Sequence, residues 1–581
     1  MKTLQKYFCL AVVIGLGLFY NSANEAIAAP RIKLIEAGWE RPDSADLLAH
    51  IKEIEQTPYS GIVVMIKGKD DDGKTVVMQN TFTAQPWKRK WFEQNIKELK
   101  EAKSPQLTDN FVRIGANPGD IDWFDDAGWK QIVDHWKIIA WVAKQSGLKG
   151  ICFDPEPYRK PLFQMNYGAQ PQHAKHTFEE YRAKVRQRGR EVMEAIKSEY
   201  PDMTIFSFFM NSVNTASAAK SDPQLALQTA GYNLYPAFIN GWLDEAPPTI
   251  TFVDGNEPAY HYNGELPYLR AANAMRNTVL SLVAPENRFK YKAQMQVGFS
   301  FYLDAYVNPE TSKYYIPPTD GSRVTTFKNN LEIASKVSDQ YVWTWGEKYR
   351  WYPTENKGVN PQYWEEMLPG ITEVLRNATD PDYWVKQAQV KFAAMEKSGK
   401  LVNLITNGDF ASDASVTKDS KGAADWKTKG APPGWSTWQK SIGGKEPGIF
   451  KWDAIVNHTD KPGSGSGYIS NMQISGTYIQ SIAVKPGEEY ALRAWQRFSQ
   501  DGGQGNISAR WQDANGHWLP VSNDTTIFET EKSKAGVWRQ LSGFVKVPQD
   551  AAKMVLLLGA VSQSSPKDGV WFDDVELYKI E

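Results

Sequence analysis

The stretch GICFDPEPY, residues 150–158, begins as an apolar strand and ends in two carboxylates that are each followed by proline. Burying Asp154 and Glu156 within a strand would cost free energy, and proline prevents the chain from continuing as a helix. The pattern therefore predicts a chain that leaves a buried strand with its carboxylates facing a cavity. In extended backbone, residues two apart project to the same side, so Asp154 and Glu156 are expected to form a pair.

This strand is one of eight short apolar runs that alternate with segments of helical periodicity. The runs cover residues 31–37, 61–66, 110–115, 149–154, 203–209, 249–254, 291–301 and 340–345. Helices are predicted over residues 44–55, 88–103, 126–146, 177–199, 267–283, 325–336 and 370–397. Eight strand–helix repeats predict a (β/α)8 TIM-like barrel over residues 30–398. A doubly wound open sheet is the alternative, but no phosphate-binding glycine pattern follows the first run.

Beyond residue 401 the sequence alternates apolar and polar residues between Gly-, Ser-, Asn- and Asp-containing turns, which predicts an antiparallel β-sandwich over residues 401–581. Three motifs stand out: NLITNGDF (403–410), VKPGEEYALRAW (484–495) and GVWFDDVELY (569–578). Together they resemble the CenC-like carbohydrate-binding domains, which are jelly rolls of the galactose-binding-like group. The resemblance implies a glycan-binding module. It also implies a possible structural calcium with Asp409 and Asp574 as ligands, although Ala411 stands where the family often has glutamate.

The composition favours contact with sugars over contact with nucleic acid. The 581-residue chain has a formal net charge of −1, without the basic excess of a nucleic-acid-binding protein. It contains 22 Trp, 26 Tyr and 25 Phe, which is more aromatic surface than its cores require. Flat rings with a polar edge suit the apolar face of a sugar and its hydroxyls. We therefore expect a polysaccharide or glycan as the partner.

The N-terminal residues predict export. Lys2 and Lys6 precede an apolar run over residues 8–19, and a small-x-small site follows at residues 26–28. These features predict a bacterial signal peptide over residues 1–29, hence a secreted or periplasmic protein. The run is too short for a comfortable membrane span, so none is expected in the mature protein. Cleavage would leave Cys152 as the single cysteine, without an intrachain disulfide.

Carboxylates and aromatic residues follow the predicted strands on one rim of the barrel. Hydrolysis of a glycosidic bond needs one protonated carboxyl group and one carboxylate that attacks the sugar or activates water. The candidate catalytic residues are Asp154, Glu156, Asp254 and Glu347, and no catalytic cofactor is expected. The candidate substrate-binding residues are Trp39, Trp123, Tyr158, Tyr260, His261, Tyr302, Trp343 and Trp345.

The sequence is compatible with three different assignments of the catalytic roles. Asp154 and Glu156 resemble the Asp-x-Glu of chitinase-like, substrate-assisted hydrolases, in which the glutamate is the acid. In retaining barrels of the cellulase–galactosidase type, Glu156 would be the acid/base, with Glu347 or Asp304 as nucleophile. In α-galactosidase-like barrels, Asp154 would be the nucleophile and Asp254 the acid.

The sequence thus predicts a secreted glycoside hydrolase with an appended carbohydrate-binding module. One alternative is a non-catalytic glycan-binding protein on a barrel scaffold. Others are a polysaccharide lyase, for which Tyr260 and His261 would supply the base, and a metal-dependent deacetylase, which would need a histidine and aspartate cluster. The sugar, the linkage, the stereochemical outcome and the oligomeric state do not follow from the sequence.

Overall fold

The computed structural model describes residues 32–119, 121–158, 164–319, 322–354, 358–380, 383–411, 432–440, 448–459, 463–503, 505–528, 534–548, 550–563, 565 and 567–580. Contacts divide the chain into two compact units at Pro381 and Asp382. The predicted signal peptide, residues 1–29, lies outside the described residues. None of the helices in the described part is long and apolar enough to cross a membrane.

The first unit is built on eight parallel strands, and each lies inside a run predicted from the sequence except the seventh, which extends one residue beyond its run to Tyr302. They are β1 (Lys33–Glu36), β2 (Gly61–Val64), β3 (Phe111–Gly115), β4 (Gly150–Asp154), β5 (Thr204–Ser207), β6 (Thr251–Asp254), β7 (Met295–Val297 and Phe299–Tyr302) and β8 (Tyr341–Trp345). Because β1 pairs with both β2 and β8, the sheet returns on itself. The predicted TIM-like barrel is confirmed.

Gly298 divides β7 into two halves and joins the two ends of the sheet. The first half pairs with β6 and the second half with β8. A Cβ atom at Gly298 would lie 3.2 Å from both the Tyr341 carbonyl oxygen and Val253 Cγ1. The close approach of the flanking strands therefore favours a residue without a side chain at this position.

Helices connect the strands of the barrel. They are α1 (Ser44–Ala49), α2 (Ile51–Ile54), α3 (Glu93–Glu101), α4 (Asp126–Ser146), α5 (Phe178–Glu199), α6 (Thr215–Ala218), α7 (Pro223–Leu227), α8 (Tyr235–Glu245), α9 (Glu265–Arg276), α10 (Arg288–Gln294), α11 (Arg323–Val337), α12 (Trp364–Met367) and α13 (Ile371–Thr379). A short hairpin, Lys67–Lys69 with Thr75–Val77, follows β2.

The longer helices follow their sequence signals closely. Helix α4 has the predicted bounds: the Asp125 side chain accepts a hydrogen bond from the Gly128 amide at its start, and Gly147 ends it with φ of 72°. Trp129 and Trp136 lie on its buried face. By contrast, the single helix predicted over residues 370–397 is wrong, because one helix ends at Thr379 and another begins at Tyr383. A residue before proline is disfavoured in helical conformation, and residue 381 is proline.

The second unit is a sandwich of two five-stranded antiparallel sheets, as predicted. In spatial order, the first sheet contains β9 (Ser436–Lys440), β12 (Ser475–Ala483), β17 (Lys553–Val561), β14 (Gly505–Gln512) and β15 (Thr525–Phe528). The second contains β10 (Ile449–Asp453), β11 (Ser466–Ser470), β18 (Gly569–Ile580), β13 (Glu489–Phe498) and β16 (Trp538–Lys546). Alternate residues of both sheets, among them Leu492, Trp511 and Phe572, fill the core between them.

Helix α14 (Tyr383–Ser398) packs on the outer face of the second sheet. Its Phe392 ring lies 6.0 Å from the Phe544 ring and 5.8 Å from the Tyr578 ring, centroid to centroid. Arg493 donates a hydrogen bond to Glu396 of the same helix at 3.0 Å. The helix that the sequence assigned to the barrel, up to residue 398, therefore groups with the sandwich.

Candidate active site

A cleft of about 540 Å³ lies at the carboxyl ends of the barrel strands. Three glutamates line it, and each follows a different strand: Glu156 after β4, Glu257 after β6 and Glu347 after β8. The other lining residues are mostly aromatic: Trp39, Arg41, Tyr158, Phe209, Val213, Tyr232, Pro258, Tyr260, His261, Tyr302, Tyr314 and Trp345. A barrel presents its reactive groups at this end, so the cleft is the candidate active site.

Glu156 is held in the cleft by a network around its backbone. Its amide donates to Asp154 Oδ1 at 3.0 Å, and its carbonyl accepts from Asn117 Nδ2 at 2.9 Å. Asn117 Oδ1 accepts in turn from the Tyr158 amide at 2.9 Å. The Tyr158 hydroxyl donates to Glu156 Oε2 at 2.6 Å. The two prolines and these four hydrogen bonds restrict the position of the glutamate carboxyl group.

The Asp154 carboxylate forms an ion pair below the cleft and does not face the cleft. The residue is fully buried, and its Oδ2 lies 2.5 Å from Arg113 Nη2, on the neighbouring strand β3. The Arg113 guanidinium also lies over the Phe208 ring, 4.3 Å from its centroid. Asp154 and Glu156 are therefore neighbours, as predicted, but only Glu156 lines the cleft.

Glu156 and Glu257 influence each other's protonation. Burial and the nearby Asp154 carboxylate raise the pKa of Glu156. Burial, followed by the Glu156 and Asp154 carboxylates, raises the pKa of Glu257 well above its ordinary value. Carboxylates that share a partly desolvated site do not ionise together easily, so this pair retains a proton to higher pH than an isolated glutamate.

Two hydrogen-bond donors point at the carboxylate of Glu347. The Trp345 indole donates to Oε1 at 2.9 Å, and the Tyr302 hydroxyl donates to Oε2 at 3.1 Å. The Glu347 amide donates to Asp304 Oδ2 at 2.8 Å, and burial raises the pKa of Asp304 to about 6. Asp304 is fully buried behind Glu347, so it supports the loop and does not line the cleft.

Asp254, the fourth predicted catalytic residue, does not reach the cleft. It is fully buried at the end of β6, and the amides of Met210, Ser212 and Asn256 donate to its carboxylate. The Ser212 hydroxyl donates to Oδ1 at 2.6 Å. These bonds occupy the acceptor positions of the Asp254 carboxylate. Asp254 therefore holds the loop that follows β5 in place.

Six of the eight predicted substrate-binding residues line the cleft: Trp39, Tyr158, Tyr260, His261, Tyr302 and Trp345. The other two are core residues. Trp123 is fully buried, stacks on Trp129 at 4.4 Å and donates its indole N–H to the Gln164 carbonyl. Trp343 is fully buried and stacks on Phe208 at 4.3 Å. Large aromatic rings are more often buried than exposed in a cleft. Position in the sequence alone did not distinguish these two buried tryptophans from the residues that line the cleft.

The sequence reasoning missed the two arginines of the site. Arg41 lines the cleft between two tryptophan rings, with its Cζ 5.7 Å from the Trp39 centroid and 5.4 Å from the Trp345 centroid. Its backbone has φ of 42°, an unusual conformation for a residue with a side chain. A signal existed for Arg113: a charged residue in an otherwise apolar strand requires a buried partner.

The predicted calcium ligands lie near the start and the end of the sandwich. Asp574 Oδ2 is 2.7 Å from His458 Nδ1. Burial raises the pKa of the adjacent Asp573 to about 7, to which the Asp574 and Asp409 carboxylates contribute. However, within the described ranges no three His, Cys, Asp or Glu side chains are grouped so that they could hold a metal ion. Calcium usually takes six to eight oxygen ligands, so these residues fit a calcium site poorly.

No protein-family model matches the chain, and no curated protein sequence matches it either. Among solved structures, a CBM4 module is similar at 16% identity and a TM-score of 0.21, over 30% of this chain and 99% of that chain. The CBM22-1 xylan-binding domain from Paenibacillus barcinonensis Xyn10C is similar at 14% identity and a TM-score of 0.21, over 27% and 91%.

Two longer proteins are matched over a smaller share of their length. The Clostridium thermocellum xylanase 10B CBM22-1–GH10 structure is 16% identical at a TM-score of 0.20, over 25% of this chain and 26% of that chain. The enzymatically active domain of bacteriophage CBA120 tailspike protein 4 is 16% identical at a TM-score of 0.21, over 26% and 20%. The chain thus spans about a quarter or less of these two structures.

Proposed function

We propose that the protein is a secreted glycoside hydrolase whose barrel cleaves a polysaccharide or complex glycan and whose sandwich binds glycan. The observation that carries the proposal is the convergence of Glu156, Glu257 and Glu347 on one cleft lined by aromatic rings. Glycosidic bond cleavage requires two carboxyl groups in different protonation states. The glycan-binding role of the sandwich rests on the three motifs that resemble CenC-like domains.

Glu156 is the proposed proton donor. It lies in the cleft and its pKa is raised, as an acid that must hold a proton near neutral pH requires. The Asp154 carboxylate contributes to this state, because a nearby negative charge disfavours ionisation of Glu156. Asp154 and Arg113 position the loop from below the cleft and do not contact substrate.

Glu347 is the proposed second carboxylate, acting as nucleophile or as the base that activates water. Hydrogen bonds from the Trp345 indole and the Tyr302 hydroxyl hold its two carboxyl oxygens in place at the cleft. This division of labour agrees with the cellulase–galactosidase scheme among the three considered from sequence. It uses Glu347 in place of Asp304 or Asp254, because the latter two are buried and hydrogen-bonded away from the cleft.

The test is release of reducing ends from a panel of polysaccharides by the full chain. Wild type should act on at least one polymer, while Glu156→Gln and Glu347→Gln should each lose activity and remain folded by circular dichroism. Glu310→Gln, an exposed residue outside the cleft, serves as the matched control. No release from any polymer, or full activity of both cleft variants, would refute the proposal.

A polysaccharide lyase is the second candidate, and one observation favours it. Arg41, Tyr260 and His261 line the same cleft, which therefore holds both a cation and side chains that can accept a proton. A lyase acting on an acidic sugar would use the cation to neutralise the substrate carboxylate and Tyr260 or His261 to remove a proton. Its product carries a double bond, so ultraviolet absorbance of the products would separate elimination from hydrolysis.

A further inference from the structure

The outer face of the second sheet in the sandwich is divided into two halves. Helix α14 covers one half, where Ala491 and Ile580 are buried and Phe544 meets Phe392. The other half carries a continuous row of large side chains, of which Trp538 contacts the His458 ring at 5.7 Å between centroids. The composition of this row indicates what would bind there.

The row crosses all five strands through directly paired positions. Lys451 of β10 pairs with Tyr468 of β11, Tyr468 with Trp571 of β18, Trp571 with Arg497 of β13, and Arg497 with Trp538 of β16. Since paired residues project from the same face of a sheet, all five side chains point outward together. We call this row the aromatic–basic platform. At strand spacings of about 4.8 Å it extends over about 19 Å.

The side chains of the platform contact one another. The Tyr468 and Trp571 rings lie 4.7 Å apart, with Lys451 Nζ 4.6 Å from the Tyr468 centroid and Arg497 Cζ 5.9 Å from the Trp571 centroid. The Trp571 indole N–H donates to Asp453 Oδ2 at 2.9 Å, which fixes the orientation of that ring. The surface is therefore partly preorganised, which lowers the entropic cost of binding.

The charges on the platform are those of a site for an anion. Neither Lys451 nor Arg497 forms an ion pair with any residue in the described part of the chain. The adjacent Asp453 carboxylate is already occupied by the Trp571 indole and by the amides of Ile455 and Val456. The guanidinium and ammonium groups are thus available to a ligand, and they flank the half-buried Trp571 ring, a type of surface that suits sugar C–H groups.

We infer that the aromatic–basic platform binds an anionic polysaccharide, with a sugar ring stacked on the half-buried Trp571 and acidic groups paired with Lys451 and Arg497, while Tyr468, 9% exposed, supports Trp571 from the side. The inference rests on the proposed glycan-binding role of the sandwich and narrows it to one face and one ligand class. Carboxylate and sulfate groups satisfy the same cations, so the test includes both. A cation–aromatic ladder could also serve only the stability of the sheet, and the test separates that role from binding.

The experiment is native affinity electrophoresis of the full chain in gels that contain polygalacturonate, dextran sulfate or carboxyl-reduced polygalacturonate, which keeps the linkage and loses the charge. We expect retardation by at least one anionic polymer, little retardation by the reduced polymer, and weakening by salt. Trp571→Ala should lower affinity at least tenfold, and Arg497→Gln or Lys451→Gln at least threefold. Trp571→Phe, which keeps a ring, should retain most of the affinity.

Trp438→Ala is the matched control, because Trp438 is 52% exposed and lies on the first sheet. Melting temperatures of all variants distinguish lost binding from lost folding, and Arg497→Gln and Lys451→Gln leave both rings in place. If platform variants melt lower but bind like wild type, the row is structural and the inference fails. If only Trp438→Ala abolishes binding, the glycan-binding role stands and this face is refuted. Equal binding of charged and reduced polymer, or no binding to any polymer, also overturns it.

Discussion

Asp154 Oδ2 lies 2.5 Å from Arg113 Nη2, and both side chains are buried at the bottom of the cleft. Removing one partner of such a pair leaves an uncompensated charge, which typically costs about 3–5 kcal/mol of stability. We therefore expect Asp154→Asn and Arg113→Met each to lower the free energy of unfolding by about that amount, measured by urea denaturation.

The double variant Asp154→Asn with Arg113→Met should recover part of this loss, since no charge remains buried. If the two losses simply add, the pair is not coupled and its assigned role is wrong. Both single variants should also impair turnover, because Asp154 accepts the Glu156 amide and so helps to position the proton donor.

Glu156→Gln is nearly isosteric and removes the proposed proton. Turnover should fall by roughly two to four orders of magnitude, since general acid catalysis contributes about that factor. Glycan binding and melting temperature should change little. Steady-state rates on the best substrate of the panel, with Glu310→Gln as control, provide the measurement. Near wild-type rates would show that another residue supplies the proton.

The pH profile should respond in opposite directions to two neighbours of Glu156. The buried Asp154 carboxylate raises the pKa of Glu156, so Asp154→Asn should lower that pKa and move the alkaline limb of activity to lower pH. The Tyr158 hydroxyl bond lowers the pKa of Glu156, so Tyr158→Phe should move that limb to higher pH. Shifts of the same sign in both variants would contradict the assignment of Glu156 as the acid.

Glu36 makes the stability of the barrel depend on pH. It is buried beneath the rim, and burial raises its pKa from 4.5 to about 7. The stabilising effect of this raised pKa is fully present below pH 4.5 and is lost as the pH rises through 7, which corresponds to roughly 3 kcal/mol. Glu36→Gln stays neutral, so it should be more stable than wild type at pH 8 and similar at pH 4.5.

Thermal unfolding at the two pH values, with the exposed Glu101→Gln as control, measures this difference. An equal stability gap between Glu36→Gln and wild type at both values would mean that Glu36 ionises normally in the folded protein.

Calcium should stabilise the sandwich only modestly. Asp574 already engages His458, and residue 411 is alanine where a further carboxylate would help. Melting temperatures in millimolar calcium and in chelator should differ by a few degrees at most. A large increase with calcium that Asp574→Ala abolishes would show a complete site.

The barrel was predictable because strand and helix periodicities are local, and seven of the eight runs contained their whole strand. It was harder to predict which of the side chains at the strand ends reach the cleft. Asp154 and Asp254 look equivalent to Glu156 in sequence, since all three follow apolar runs. The difference lies in side-chain length and in position relative to the strand end. A glutamate two or three residues beyond the strand extends into the cleft, whereas an aspartate at the strand end accepts hydrogen bonds from buried donors. Such long-range partners as Arg113 and Asn117 have no local signature.

The three cleft glutamates all follow even-numbered strands, β4, β6 and β8, whereas Trp39 and Arg41 follow β1 and Tyr302 and Tyr314 follow β7. The loop after β1 thus contributes to the cleft without carrying any of its glutamates, whereas Tyr158, Tyr260, His261 and Trp345 lie on the same segments as the glutamates. Exchange of the loop after β1 or the residues beyond Tyr302 can alter which sugar is accepted while the acid stays in place. Related barrels could therefore evolve to accept other sugars through changes in these two segments. The same segments are targets for engineering the substrate specificity.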